Sequence, residues 1–247
     1  MPCDAWYALV TTMSSDKARI QSNLSRIREN ISAACVRARR SPQNVRLIGV
    51  TKTTDLAGIQ AAIELGVTDL GEGRVQQLCE RFAELRDLAP QTNVRWHMIG
   101  HLQRNKVKDV LRCATMIHSV DSLRLAEDIN ARAERDGRKV DVMLEINCSN
   151  ESQKFGVAVG AALHLGELIS TLKHVRLVGL MTMAAIAEDP EQARPTFVRL
   201  RELFEEMRHD GIGGEPFEHL SMGMSQDYVV AVEEGATMLR IGSALFE

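Results

Sequence analysis

Three short stretches of this chain carry residue types that could act together on one small molecule. Lys52 closes the apolar run Val45-Arg46-Leu47-Ile48-Gly49-Val50-Thr51-Lys52. Such a run reads as a strand buried on both faces, and a lysine is an unusual way to end one. Burying an ammonium favours the neutral amine, the form that attacks aldehydes. The plainer reading is a lysine that marks where a strand leaves the core for water. Far along the chain come Leu220-Ser221-Met222-Gly223-Met224-Ser225-Gln226-Asp227 and Met238-Leu239-Arg240-Ile241-Gly242-Ser243. Small residues let backbone N–H groups approach an anion, and their hydroxyls add donors. Ser225 also reads as a cap for a helix starting there. Taken singly, each stretch is ordinary turn chemistry.

The elements that must position these residues follow from the hydrophobic pattern. Ile20, Leu24, Ile27 and Ile31 recur at helical spacing between Asp16 and Arg40, and Pro42 stops that helix. Apolar runs then predict strands over Val45–Lys52, Thr68–Gly73, Val94–Gly100, Met116–Val120, Val140–Cys148, Val175–Met183, Glu218–Met222 and Thr237–Leu245. Helical patterns fill every gap, at about 54–65, 74–88, 104–113, 122–136, 160–172, 190–209 and 225–234. Asp121 and Asp189-Pro190 read as helix starts, and Gly66 and Gly235 as left-handed helix ends. Strand and helix alternating eight times predicts an α/β fold, a (β/α)₈ TIM barrel preceded by one extra helix. A doubly wound open sheet is the alternative, and the missing Gly-rich turn after the first strand weighs against it. The segment 1–14 is expected to be a disordered extension, and 15–247 a single barrel domain.

Closure of a barrel puts its first strand beside its eighth, so the predicted fold brings the three stretches to one end. Active sites lie at the carboxyl ends of barrel strands, and phosphate usually binds in the loops after the seventh and eighth. An aldehyde-reactive lysine beside a phosphate cradle describes a site for pyridoxal 5′-phosphate (PLP). Arg240 would point into the lumen, where a permanent cation needs a partner. That partner is either a structural carboxylate or the pyridine nitrogen of PLP. An arginine keeps its proton, so a nitrogen facing it stays unprotonated and the ring is a poor electron sink. That chemistry favours a carrier, or a racemase-like enzyme, over a transaminase.

The motifs Thr51-Lys52-Thr53, Gly71-Glu72-Gly73-Arg74-Val75-Gln76, Trp96-His97-Met98-Ile99-Gly100-His101-Leu102-Gln103-Arg104-Asn105-Lys106 and Ser152-Gln153-Lys154-Phe155-Gly156 appear in that order. Gly179-Leu180-Met181-Thr182, Leu220-Ser221-Met222-Gly223-Met224-Ser225 and Arg240-Ile241-Gly242-Ser243-Ala244 follow. Together they resemble the pyridoxal phosphate homeostasis protein family, from about residue 16 to the end. The resemblance implies the barrel of the alanine racemase amino-terminal domain, standing alone. It implies Lys52 as the Schiff-base lysine, Ser221, Gly242 and Ser243 as phosphate ligands, and Arg240 facing the pyridine nitrogen. Two departures stand out. Gly73 replaces the family's usual asparagine, removing a polar group near the cofactor, and the chain stops at Phe246-Glu247, short of the usual tail.

Composition narrows the partners. A net charge of −3 with no long basic run argues against a nucleic-acid binder, the patch Arg37-Ala38-Arg39-Arg40 reading as a helix end. No apolar stretch reaches the length of a membrane span, and the first dozen residues lack a signal peptide's pattern. Five scattered cysteines without a Cys-x-x-Cys pair predict reduced thiols in a cytoplasmic protein. His97, His101 and His118 match no standard zinc spacing and are expected to line or support the pocket. Three functions are weighed: a non-catalytic, monomeric PLP carrier supplying apo PLP-dependent enzymes, an amino-acid racemase, and a cofactor-independent Schiff-base lyase. Two-base racemisation needs a group on each face of the substrate, and the only tyrosines are Tyr7 and Tyr228.

Overall fold

A computed structural model describes residues 3–88, 93–149 and 155–247, with side chains from Asp16 onward except at 87 and 88. The apolar runs form parallel strands β1 (Arg46–Val50), β2 (Asp69–Glu72), β3 (Arg95–Met98), β4 (Met116–Val120), β5 (Val140–Asn147), β7 (Val175–Met181), β8 (His219–Ser221) and β9 (Met238–Ile241). A two-residue strand, β6 (Val157–Ala158), pairs only with β5. The other eight pair in sequence order, β4 with β5 and β5 with β7, and β9 returns to β1. The eight-stranded barrel is therefore closed, and the two-residue β6 is left outside the ring.

Helices α2 (Leu56–Glu64), α3 (Val75–Leu88), α4 (Val107–Cys113), α5 (Leu123–Arg135), α6 (Ala162–Ser170), α7 (Arg194–His209), α8 (Tyr228–Glu233) and α9 (Ser243–Phe246) surround it. The extra helix α1 (Cys3–Arg37) packs across α2, α8 and α9. Its buried stripe is Ile20, Leu24, Ile27 and Ile31, as the spacing predicts. Because α9 is a single turn, α1 covers the β9–β1 side that a longer eighth helix would cover. Each of those side chains contributes roughly 2 kcal/mol of burial. The helix includes residues 3–14 of the stretch 1–14 read as an extension.

Elements shift from the sequence expectation mainly at strand ends. Strand β1 stops at Val50, and Thr51–Thr53 form a 3₁₀ turn that carries Lys52. The last predicted strand stops at Ile241, and Ser243–Phe246 turn helical, because Gly242 breaks the extended run. Asp189 caps as predicted, its carboxylate accepting from the Glu191 N–H, while Asp121 makes no cap bond to α5. Gly66 and Gly235 adopt φ of 89° and 102°, the left-handed ends expected of them. The basic patch clamps helices together: Arg37 pairs with Glu233, and Arg40 donates to the Val232 carbonyl.

Helix α1 ends in a six-to-one turn, the Arg40 N–H bonding to the Cys35 carbonyl and the Arg39 N–H to Val36. Arg39 takes the left-handed position, φ 53°, where its Cβ is strained and a glycine would not be. Its side chain is exposed, so Arg39→Gly should raise stability by about 1 kcal/mol and the melting midpoint by about 2–4 °C. A lower midpoint in calorimetry would show that the turn is not strained.

Candidate functional site

Register places the sequence-predicted residues. Ile48 pairs with Arg240 and Gly49 with Ile241, so Lys52 and Gly242 leave the barrel from adjacent strands at its carboxyl end. A Cβ on Gly242 would lie 3.4 Å from the carbonyl oxygen of Val50, two residues before Lys52. Lys52 itself is exposed at the mouth, not buried as a strand-ending position suggested. Beneath it, Thr51 donates its hydroxyl to Glu72, whose carboxyl is fully buried and whose second oxygen finds no partner among the described residues. Burial raises the pKa of Glu72, opposed by the Thr51 hydroxyl and by the charges of Arg81 and Lys52.

Gly242 and Ala244 meet the turn after β8 through Ser225. The Ser225 hydroxyl oxygen accepts N–H bonds from both Gly242 and Ala244, each 3.2 Å. It does not cap a helix, since α8 begins only at Tyr228 and Asp227 holds the turn by accepting from the Met224 N–H. Gly223 allows this turn: its φ is 89°, and a Cβ there would come within 2.5 Å of Ala231. Ser243, the first residue of α9, is exposed.

Ser221 lies a layer deeper. Its side chain is fully buried in the lumen, accepting from Arg240 Nη1 at 2.7 Å and contacting His118 Nδ1 at 2.9 Å. Those bonds belong to a chain that crosses the barrel. His118 Nε2 lies 2.9 Å from His97 Nδ1, and His97 Nε2 lies 3.0 Å from Asp69 Oδ1. Arg95 closes the far end with two bonds to Asp69, 2.8 and 2.6 Å.

Elementary proton accounting fixes every donor in this chain. Burial would raise Asp69, but bonds from His97 and Arg95 hold it at about 2, so it is ionised and only accepts. Burial lowers the pKa of His97, against the opposing pull of Asp69, and lowers His118 well below its ordinary value, with His97 and Arg240 adding to the effect. Both rings are neutral. His97 must then carry its proton on Nε2 and accept at Nδ1, so His118 donates from Nε2 and accepts at Nδ1. Ser221 therefore gives its proton to His118 and turns a lone pair to Arg240. Arg240 Nη2 donates to the Thr182 carbonyl, 2.9 Å away. Burial lowers Arg240 to about 10, with Asp227 and Glu145 pulling the other way, and it remains a cation at neutral pH.

Sequence reasoning missed Asp69, Glu145 and the linkage of the two histidines, although a signal was present. Asp69, His97, His118, Ser221 and Arg240 are polar residues inside otherwise apolar strands, and alternation puts them all on the lumen side. The remaining lumen is apolar, lined by Ile48, Met116, Met143, Val178, Met181 and Met238. Glu145 adds a buried carboxyl whose Oε2 also lacks a partner among the described residues. At the rim, His101 Nδ1 lies 3.4 Å from Asp121 and its ring stacks on Phe155 at 4.0 Å. Lys154 and its neighbours 150–153 fall outside the described residues. No cluster of His, Cys, Asp or Glu among the described residues could hold a metal ion, and no helix there is long and apolar enough to cross a membrane. The Tyr228 hydroxyl accepts from Asn30 on α1, outside the barrel and away from the mouth.

Barrel, lumen arginine and mouth lysine define an alanine-racemase-type barrel. The pattern of the family described as alanine racemase, N-terminal domain, matches residues 22–247. The chain is 41% identical over 223 residues to the pyridoxal phosphate homeostasis protein of Aquifex aeolicus, covering 90% of this chain and 95% of that one. It is 34% identical over 231 residues to the protein of that name from Escherichia coli K12, covering 92% and 95%. The structure of PipY from Synechococcus elongatus with PLP bound superposes with a TM-score of 0.80 at 31% identity, over 92% of this chain and 100% of that one. Alanine racemase of Clostridium difficile shares the fold at a TM-score of 0.70 and 17% identity, this chain spanning 56% of it. The chain belongs to the pyridoxal phosphate homeostasis protein family.

Glu145 gives the site a pH signature. Burial pushes its pKa from 4.5 up to about 7, Asp121 adding to the rise and Arg240 opposing it. As pH climbs from about 4.5 to 7, the unfolded chain releases a proton that the folded protein keeps. Folded stability therefore falls through this window, by on the order of 3 kcal/mol. Glu145→Gln cannot titrate, so its stability should overtake wild type as pH rises. Denaturant midpoints measured across the window that stay parallel for the two proteins would contradict this.

Proposed function

We propose that this chain is a PLP carrier, binding the cofactor reversibly through Lys52 and supplying it to apo PLP-dependent enzymes, without catalysis of its own. The observation that supports the proposal is the β1–β9 register, under which the exposed lysine and the Gly242-Ser243 turn leave adjacent strands, with Arg240 buried below. The donor set fits the group. Lys52 supplies an amine free to react at the mouth. The hydroxyls of Ser225 and Ser243 supply donors for a phosphate, the Ser225 oxygen being held in place by the N–H groups of Gly242 and Ala244. Ser221 is engaged inside, so in this proposal it orients Arg240 instead of binding phosphate. Gly73 has open space where a Cβ would stand, so a glycine in place of the family's asparagine widens the mouth and leaves the backbone where it is.

When bound, PLP supplies an aldehyde that joins reversibly to an amine and a ring able to spread negative charge. The chain's own groups favour holding over using. Arg240 is fixed by Ser221 and Thr182 and keeps its proton at neutral pH, so it does not protonate a ring nitrogen facing it. The Tyr228 hydroxyl is engaged by Asn30 of α1. We further assign the binding unit to residues 15–247, acting as a cytoplasmic monomer. The PLP-bound PipY structure and the names of the relatives support the cofactor assignment. A racemase-like reading has one observation on its side, the buried Glu145 carboxyl titrating at about 7 beside Arg240.

Borohydride reduction of the PLP-loaded protein, followed by peptide mapping, should find one pyridoxyl phosphate group, on Lys52. Lys52→Ala should lose the visible absorbance of the adduct and incorporate no label. Label on another lysine, or a protein that takes up no PLP, would overturn the proposal. Robust racemisation of an amino acid, lost in Glu145→Gln, would favour the enzyme instead.

A further inference from the structure

The fold brings together two cysteines that lie 34 residues apart in the chain. Cys79, on α3, and Cys113, at the end of α4, hold their sulfurs 2.9 Å apart. That is within about 1 Å of the length of a disulfide bond. Both thiols converge on one backbone carbonyl, that of Asp109, at 3.5 and 3.6 Å. Their surroundings differ. Cys79 is half-buried and lines a cavity of about 570 Å³ shared with Gly73, Arg74, His101 and Lys106. Cys113 is buried behind it. Of the other thiols with described side chains, Cys35 and Cys148 are buried.

We propose that Cys79 and Cys113 form a redox modification site, in which a peroxide oxidant converts them into a reversible α3–α4 disulfide. Cys79, reached through the cavity, attacks the peroxide oxygen; the O–O bond breaks, giving a sulfenic acid and one water. The Cys113 sulfur then displaces the sulfenic oxygen, and its proton leaves with that oxygen as a second water. Two thiols and one hydrogen peroxide thus become one disulfide and two waters. Burial and the neighbouring Cys79 push the Cys113 thiol up to about 12, so the cavity-lining Cys79 is the thiol that meets the peroxide first. Helix α3 follows directly from Gly71-Glu72-Gly73-Arg74, and Glu72 bonds Thr51 beside Lys52, so the crosslink would tether a wall of the mouth. It stands whether or not Lys52 binds PLP.

The test is a hydrogen peroxide titration of the full chain carrying Cys3→Ser, followed by alkylation and non-reducing peptide mapping. We expect a Cys79–Cys113 linked peptide, abolished by dithiothreitol, with Cys35 and Cys148 recovered alkylated. In Cys113→Ser, a dimedone adduct should accumulate on Cys79. Recovery of Cys79 and Cys113 as separately alkylated thiols, or of Cys79 as a higher oxide with Cys113 still free, would overturn the proposal.

Discussion

A guanidinium buried inside a barrel governs the arrangement of this molecule's carboxyl end. Removing such a cation from water costs several kcal/mol, and only close, well-aimed acceptors offset it. Arg240 finds them in Ser221 and the Thr182 carbonyl. Ser221 can accept only because His118 takes its proton, His118 only because His97 accepts in turn, and His97 only because Asp69 is ionised. Arg95 at the opposite end keeps it so. Five strands, β2, β3, β4, β8 and β9, are thereby locked into one donor order. A change at the half-exposed Arg95 would reach a fully buried arginine across the lumen.

Much of this was legible in the sequence, for reasons of periodicity. Strand runs and helical stripes alternate cleanly, and closure follows from having eight of them, so the adjacency of Lys52 and Gly242 could be read before any coordinates. Strand ends were harder. A 3₁₀ turn puts Lys52 in water, and Gly242 converts Ser243–Phe246 from an extended run to a helix, because one backbone break outweighs the apolar pattern. Ser221 and Ser225 sit in the same motif, yet the pleat sends one into the lumen and the turn carries the other to the glycine. The Cys79–Cys113 contact had no local signal, since it depends on two neighbouring helices presenting facing turns.

The same constraint shapes what the proposed site does. A cation that keeps its proton, with a neutral hydrogen-bond chain behind it, withholds the proton that would make a pyridine ring an efficient electron sink. An exposed lysine at an open mouth suits reversible capture and release better than sequestration from water, on which carbanion chemistry depends. Membership of the homeostasis family and the lumen chemistry therefore point the same way, although they rest on independent observations.

The most direct test of holding against using is the protonation state of the ring nitrogen. Nitrogen NMR of the protein loaded with PLP labelled at the pyridine nitrogen should show an unprotonated ring across the neutral range. Arg240→Glu, which supplies a proton donor, should move the signal to the protonated position. A protonated ring nitrogen in the wild-type protein would contradict the account.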